Sequence, residues 1–568
     1  MTDVRLKKLL MQRSTVYKDI PTDVVEELGK LAKDMGLETK KLVGLFDKFM
    51  TVSRQSNTSV CLEDVDAFAR EQAVLLSKSK AKSVFAKTEW DEMDVGKKVP
   101  DVNAMGAQKI SPYVARSNAL SDRIESSFES HNGCLQNVFN AELEFEGDSN
   151  GQGISEVEIL NRKCQSTYMM NTLSRRVGYL EQRILSMEEG IEKTHDCKVH
   201  SIASACQDMA LFCGRICCDT EGSRLNPQSV ILEGSIATSK GARVRLDLSS
   251  CSEYRIFPGQ IVAVRGKNPT GFCIVAEQML STLPFTVDRS ATTKAFSMVV
   301  ASGPFTAADN LMYEPLKALI QYCEREKPEV LLLLGPFVDE DHPDIGRGLV
   351  DVTFEDIFDV KIVGQLEALH QNTDTKVVLL PSVRDVHHDV AFPQGPLSVP
   401  DHPNTLSISN PSTIRYKGTV LGCSSIDWLM SSTREEISKS SGPVDRMTSL
   451  ASQILSQRAY YPMYPPAENV ALDVGRSNTL ELVALPEILL TASELAAFAK
   501  PTTIQSRRLD SEHSGKNLTE NSEEVICINP GRLTKGSTAG TFAHVYINQK
   551  ASIEESICKR CKVEIRKL

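Results

Sequence analysis

No stretch of this chain comes near the roughly 20 consecutive apolar residues that a membrane-spanning helix requires. A charged-then-apolar leader is equally missing from the opening MTDVRLKKLL, so a soluble intracellular protein is expected. Positive charge is not in excess either. The 64 Lys and Arg against 74 Asp and Glu leave a formal net charge of −10. That balance argues against a dedicated nucleic-acid binder, which needs a basic field to release counterions from phosphate; local basic patches stay open. The 15 cysteines show no spacing framework of a small secreted domain, so reduced thiols in the cytosol or nucleus are expected. Cys558 and Cys561 form one CxxC without a second ligand pair nearby, which is too little for a structural zinc. GKNPTG, from Gly266, lacks the GK[ST] ending of a phosphate loop, and no GxSxG elbow occurs.

What is present is an ordinary globular composition, 41% apolar and 24% charged, on a chain of 568 residues. Domains usually hold about 100 to 200 residues, so three or four units are expected. Residues 1–76 read as a helical docking domain. Val25, Leu28, Ala32 and Met35 recur at helical spacing, as do Leu42, Leu45, Phe46 and Phe49, then Leu62, Val65, Ala69 and Leu76. From 77 to 155 the periodicity vanishes into Ser, Lys, Asn, Glu and Gly, a composition that cannot bury enough apolar surface to offset chain entropy, so a disordered linker is expected. Within it Ser111 precedes Pro112, a minimal site for proline-directed phosphorylation. In 156–196, Met170, Leu173, Val177, Leu180, Ile184, Met187 and Ile191 alternate spacings of three and four on one helical stripe. Three heptads favour a helix packed on its own protein over a coiled-coil dimer.

Residues 197–285 carry short strands, SVILEGSIAT, ARVRLDLS, FPGQIVAVRG and GFCIVAEQML, between Gly, Pro, Asn and Ser turns. Val244, Leu246 and Leu248 alternate with Arg243, Arg245 and Asp247, the pattern of a small closed barrel of the OB type. Such barrels can bind single strands through stacking aromatics and a basic groove. Here the aromatics are Tyr254, Phe257 and Phe272, and Arg243, Arg245, Arg255, Arg265 and Lys267 could line a groove or a merely solvated face. From 286 to 568, apolar strands such as FSMVVAS, EVLLLLG and KVVLLPS alternate with amphipathic helices, which indicates βαβ units. The loops SGPFT, GPFVDEDHP, PSVRDVHHD, SNPS and NPGRLTKGSTAGTFA then lie where ligands bind in such sheets. The fold class expected is multidomain α+β.

These loops resemble those of the calcineurin-like metallophosphoesterases. With an OB barrel before them and LLLLGPFVDEDHP, PSVRDVHHDVAFPQGP, SNPSTI, AYYPMYPP and INPGRLTKG in order, the chain is similar to the B subunits of the replicative DNA polymerases, particularly those of polymerase alpha–primase complexes. The resemblance implies a β-sandwich flanked by helices and, in active relatives, a two-metal site. Here Ser302, Gly303 and Pro304 stand for the Asp-x-His that should open it. Pro336 replaces the bridging Asp, Val383 the Asn ligand and Arg384 the His, and nothing near Asn529, Pro530, Gly531 and Arg532 matches the final Gly-His-x-His. Loss at every motif leaves no shell for two cations about 3.5 to 4 Å apart, so no metal, cofactor or catalysis is expected. The acidic run from Asp339 to Asp344 reads as turn and cap chemistry, and His387 and His388 as hydrogen-bonding loop residues.

The resemblance further implies a scaffold in the nucleus. It would bind the C-terminal region of the polymerase alpha catalytic subunit and, through that complex, primase. The N-terminal domain would recruit other replication factors, DNA would be bound weakly at most, and no membrane would be bound. Phe337, Asp339, Glu340, Asp341 and Tyr464 are the expected partner-binding residues, on an apolar-plus-acidic loop and a proline-stiffened tyrosine segment. Alternatives from other classes are a metal-dependent phosphoesterase or nuclease and a single-stranded DNA-binding module centred on the barrel.

Overall fold

The computed structural model describes residues 133–147, 156–161 and 168–568, apart from 221–223, 281–284, 287–292, 441, 443–444, 508–519 and 553–554, together with a few positions among the first fifty. The chain divides into two compact units, Met1–Gln108 and Lys109–Leu568. In the first, Val25, Leu28 and Phe46 are helical and buried, three of the positions assigned to helical stripes; the other stripe positions of that domain, and Ser111, lie outside the described residues.

In the second unit, chain order begins with strands β1 (Cys134–Phe139) and β2 (Glu158–Ile159) and helix α1 (Leu173–His195). It continues with β3 (Cys206–Cys218), β4 (Val230–Glu233), the single turn α2 (Ile236–Ser239), β5 (Arg243–Asp247), β6 (Ile261–Asn268) and β7 (Cys273–Leu280). Strands β3, β4, β5, β7 and β6 close into a barrel in that order. Its interior holds Phe212, Ile216, Leu232, Val244, Leu246, Val264 and Ile274, while Arg243 and Arg245 point outward, as period-two alternation requires. Helix α1 is capped by the Thr172 side chain and presses Ile184, Met187 and Ile191 onto Leu211, Cys213, Ile261 and Ala263 of β3 and β6.

The remainder builds two sheets. Strands β8 (Phe285–Thr286), β9 (Phe296–Ser302), β10 (Val330–Leu334), β11 (Lys376–Leu380) and β12 (Thr405–Ser407) come first, with helix α3 (Glu314–Glu326) between β9 and β10. Then follow β13 (Ser412–Tyr416), β14 (Thr419–Ser424), β15 (Ile488–Thr491), β16 (Phe498–Arg507), β17 (Glu520–Asn529), β18 (Thr541–Ile547) and β19 (Cys561–Lys567). One seven-stranded sheet runs β1-β19-β18-β9-β10-β11-β12, the other β2-β13-β14-β15-β17-β16-β8. Within the first, β9 to β12 are parallel. The run VLLLL of β10 is buried on both faces: Val330, Leu332 and Leu334 enter the core shared by the two sheets, and Leu331 and Leu333 the core beneath α3. A third core lies on the outer face of the second sheet, under the helices Trp428–Glu435 and Arg446–Ser456.

Two boundaries differ from expectation. The linker placed at 77–155 ends earlier, because β1 pairs antiparallel with β19, Cys134 opposite Lys567 and Phe139 opposite Val563. Four of its six residues are exposed, so composition and periodicity gave no sign of a strand. The helical segment expected over 156–196 begins instead as an edge strand, β2, whose Ile159 pairs with Ile414.

Barrel and sandwich meet at specific joints. The Gln457 side chain closes both a donor and an acceptor bond with the Ile261 backbone, each 2.9 Å. Phe257 of the barrel rests edge-on against Trp428 at 5.2 Å. Gly259, at φ +87°, lies so close to the chain at Tyr464 that a Cβ there would come within 2.2 Å of the Tyr464 nitrogen, so the joint requires glycine.

Candidate functional site at the strand-end loops

Parallel strands β9, β10 and β11 deliver the loops after Ser302, Leu334 and Leu380 to one rim, and β15 and β17 of the facing sheet add the loops after Thr491 and Asn529. The first two loops touch through backbone: a Cβ on Gly303 would lie 1.9 Å from the Pro336 carbonyl oxygen. The peptide bonds before Pro304, Pro336 and Pro411 are cis. The second and third loops are clamped by Asp385. Its buried carboxylate accepts N–H groups of Phe337, Val338 and Ser382, at 2.5, 3.1 and 2.8 Å. Burial pushes its carboxyl up to about 7, although those three N–H groups pull the other way. Gly335 makes room for this clamp, since a Cβ there would stand 2.6 Å from Asp385 Oδ2.

Two guanidinium groups occupy the centre. Arg532, only 3% exposed, donates from Nη1 to Ser302 Oγ and the Gly303 carbonyl, each 3.1 Å, and from Nε to Glu494 Oε1 at 2.9 Å. Arg384 forks onto Asp339, with Nε to Oδ1 at 3.0 Å and Nη2 on Oδ2, and reaches Asp341 and Glu494 at 3.1 Å each. Burial works against the charge of Arg384, but Asp339, Asp341 and Glu494 together outweigh it and hold its proton more firmly than usual. For Arg532, burial prevails and lowers the pKa. The cluster is thus self-neutralising, with Glu494 shared between the two cations. Among the described residues no group of three or more His, Cys, Asp or Glu is placed to hold a metal ion. Ser302 Oγ has a guanidinium beside it rather than a base, which is the wrong partner for a nucleophile.

The amides of Asn410 and Asn529 are equally engaged. Asn410 donates to Gln394 Oε1 and Ser425 Oγ. Asn529 accepts from Ser493 and Gly531 and donates to the carbonyls of Leu495 and Ala496. His388 Nε2 lies 2.9 Å from the Gly395 carbonyl, as a loop residue should. His387 departs from the same expectation: it stacks on Phe358 at 4.5 Å and both its buried ring nitrogens lack hydrogen-bond partners. Burial lowers its pKa to about 4. The short helix Pro343–Gly346 is capped by His342 Nδ1, while Asp339 holds the turn through the Asp341 N–H.

The expected partner-binding residues separate into three groups. Phe337 is 1% exposed, stacked on Phe305 at 5.2 Å and edge-on to Phe358, so the expectation of an apolar surface contact there is corrected. An aromatic side chain in an acidic loop found a core beneath the sheet. Asp339 is buried at 5% under Arg384, whereas Glu340 and Asp341 are exposed. Tyr464, half-buried, sits at the barrel joint with the Arg215 guanidinium 5.4 Å from its ring centre and its N–H on the Pro258 carbonyl. Tyr460 and Tyr461 are fully buried; Tyr460 bonds Ser412 O and Thr413 Oγ1. On the barrel, Phe257 is buried and Phe272 81% exposed, while Arg243 pairs with Glu233 and Arg255 with Glu436. Glu494 and Arg532 were absent from the expected set. The one available signal was Arg532 itself, in a loop where the resemblance to active phosphoesterases implies metal ligands.

A family model described as the B subunit of DNA polymerase alpha/epsilon matches residues 298–500, and one described as the OB domain of the DNA polymerase alpha B subunit matches residues 177–282. Similar curated proteins include the DNA polymerase alpha B subunit of Mus musculus, 34% identical over 354 residues, covering 61% of this chain and 55% of that protein. That of Bos taurus is 36% identical over 304 residues, covering 52% and 50%. That of Schizosaccharomyces pombe is 30% identical over 370 residues, covering 60% of each. The chain spans about half to three fifths of the length of these relatives, at 55%, 50% and 60%.

Proposed function

Because the chain belongs to the family of DNA polymerase alpha B subunits, we propose that it serves nuclear DNA replication as a non-catalytic accessory subunit. In this reading the two-sheet domain is a phosphoesterase sandwich whose metal site has been lost. The observation that carries it is the guanidinium pair: Arg532 and Arg384 supply fixed positive charge among Ser302, Asp339 and Glu494, where an active relative would need open ligands for two cations. Barrel and sandwich, joined through Gln457, Phe257 and Gly259, form the body that holds the C-terminal region of a polymerase catalytic subunit, with primase reached through that complex. The N-terminal domain docks further replication factors, with tethering raising their effective concentration.

The docking surface for the catalytic subunit is the exposed acidic edge of Glu340 and Asp341, with Tyr464 at the barrel joint. A pull-down with the catalytic subunit's C-terminal region should lose binding on Glu340→Lys while the melting transition of the isolated chain stays in place, and on Tyr464→Ala with a transition that stays cooperative but falls by the packing lost on Arg215. Retained binding by both variants would move the surface elsewhere. Calorimetry with Mn²⁺ should show no stoichiometric uptake, and phosphodiesters should not be hydrolysed; two bound Mn²⁺ with hydrolysis lost on Asp339→Ala would overturn the non-catalytic reading.

A further inference from the structure

Helix α1 carries an unbroken apolar stripe that is covered along only half its length. Ile184, Met187 and Ile191 are 2%, 4% and 2% exposed against the barrel, whereas Leu173 and Val177, earlier on the same stripe, are 77% and 44% exposed; Met170, expected on the stripe, precedes the helix and its Thr172 cap. Exposed large apolar side chains are ordinary when scattered. Here they follow one helical line that runs directly into a formed interface.

The barrel supplies the second wall. The Glu181 carboxylate accepts the N–H groups of Ile236 at 2.9 and 2.8 Å and of Ala237 at 3.2 Å, and Glu188 accepts the Thr238 hydroxyl. Glu181 stands one turn beyond Val177, so this latch sets Ile236, itself 53% exposed, beside the uncovered end of the stripe. The rim is cationic: Arg176 on the helix and Lys240 after α2 are exposed, while the neighbouring carboxylates Glu181 and Glu188 are turned into the barrel.

The geometry points to a docking groove along Leu173, Val177 and Ile236 for an amphipathic helix with acidic flanks, contributed by a partner protein. Spacings of three and four on α1 match the anchors of a helix laid into a groove. The cationic rim selects its charge and disfavours a second copy of α1, which would bring its own Arg175 and Arg176 against the same residues. This surface is separate from the strand-end loops and does not depend on the reading given for them.

The test uses the full chain and a fluorescein-labelled helical peptide of about 18 residues, five turns, with Leu at the anchor positions and Glu on the flanks, beside a counterpart with Lys flanks. Anisotropy titration should show the Glu peptide binding at least about tenfold more tightly than the Lys peptide. Leu173→Asp with Val177→Asp should weaken it by about tenfold or more, and Arg176→Glu with Lys240→Glu should transfer the preference to the Lys peptide. All four positions are exposed, so the melting curves of both variants should overlay the parent. Equal binding by parent and variants, or no preference between peptides, overturns the proposal. So does sedimentation showing a self-associated chain that Leu173→Asp returns to monomer, because the occupant would then be a second copy.

Discussion

The strand-end loops and the uncovered half of α1 treat the same kinds of residue in opposite ways. At the loops the apolar Phe337 is driven under the sheet, and two arginines are matched against Asp339, Asp341 and Glu494. Along α1, Leu173 and Val177 stand in water beside Arg176. The first region pairs its charges internally, His387 being the exception with both ring nitrogens unpartnered; the second leaves apolar area and positive charge to be satisfied by something else. A charge count along the acidic loop thus does not tell the exposed edge at Glu340 and Asp341 from the buried Asp339, whereas helical periodicity does separate covered from uncovered residues.

This contrast breaks most visibly if the loops are not internally satisfied. Asp385→Ala removes the acceptor of three buried N–H groups, and a buried donor left without a partner costs about 1 kcal/mol or more, so a loss of roughly 3 kcal/mol is expected in urea unfolding. A loss below about 1 kcal/mol would mean that the clamp is dispensable. Arg532→Lys keeps the charge but cannot reproduce the fork onto Ser302, Gly303 and Glu494. Glu494 is half-exposed, which limits the penalty to about 2 kcal/mol, and full stability in the Lys variant would show that charge alone suffices.

A finer test uses pH. The His387 pKa is lowered to about 4, so the unfolded chain takes up a proton near pH 6.5 that the folded chain refuses, and stability falls as pH drops from about 6.5 through 4. Asp385, raised to about 7, acts oppositely, its contribution falling as pH rises from about 4 to 7. Because His387 only stacks on Phe358, His387→Phe should keep the packing and remove the acid-labile part. The variant should match or slightly exceed the parent at pH 7.5 and lead it by about 2 kcal/mol at pH 5. A gap that does not widen on acidification would place the ring in a wetter environment than its burial indicates.

Much of the core was legible from local pattern. VLLLL could only be a strand covered on both faces, Val244 and Leu246 alternate inward as their spacing demands, and the α1 stripe marked the residues that meet the barrel. β3 escaped, because the cysteine-rich run CQDMALFCGRICC begins with polar residues and has neither clean alternation nor turn punctuation. β1 escaped because its stability comes from β19, far away in the chain. At the candidate site the resemblance singled out Ser302, Arg384 and Arg532, but the contacts among them could not be read from the sequence. The contact of Arg532 with Ser302 joins residues 230 positions apart, and nothing local to either announces it.

That long-range pairing of β1 with β19 also sets an order of events during synthesis. The Arg566 guanidinium donates to the Gly133 carbonyl across 433 positions, so the segment at 134–139 leaves the ribosome with no strand to join until residues 561–567 have followed it. At about 5 to 20 residues added per second, it waits tens of seconds. The barrel, whose strands all lie between Cys206 and Leu280, can close in that interval. Loss of β19 would accordingly leave a closed barrel attached to an unfinished sheet, with the edge of β18 open to pairing with another chain.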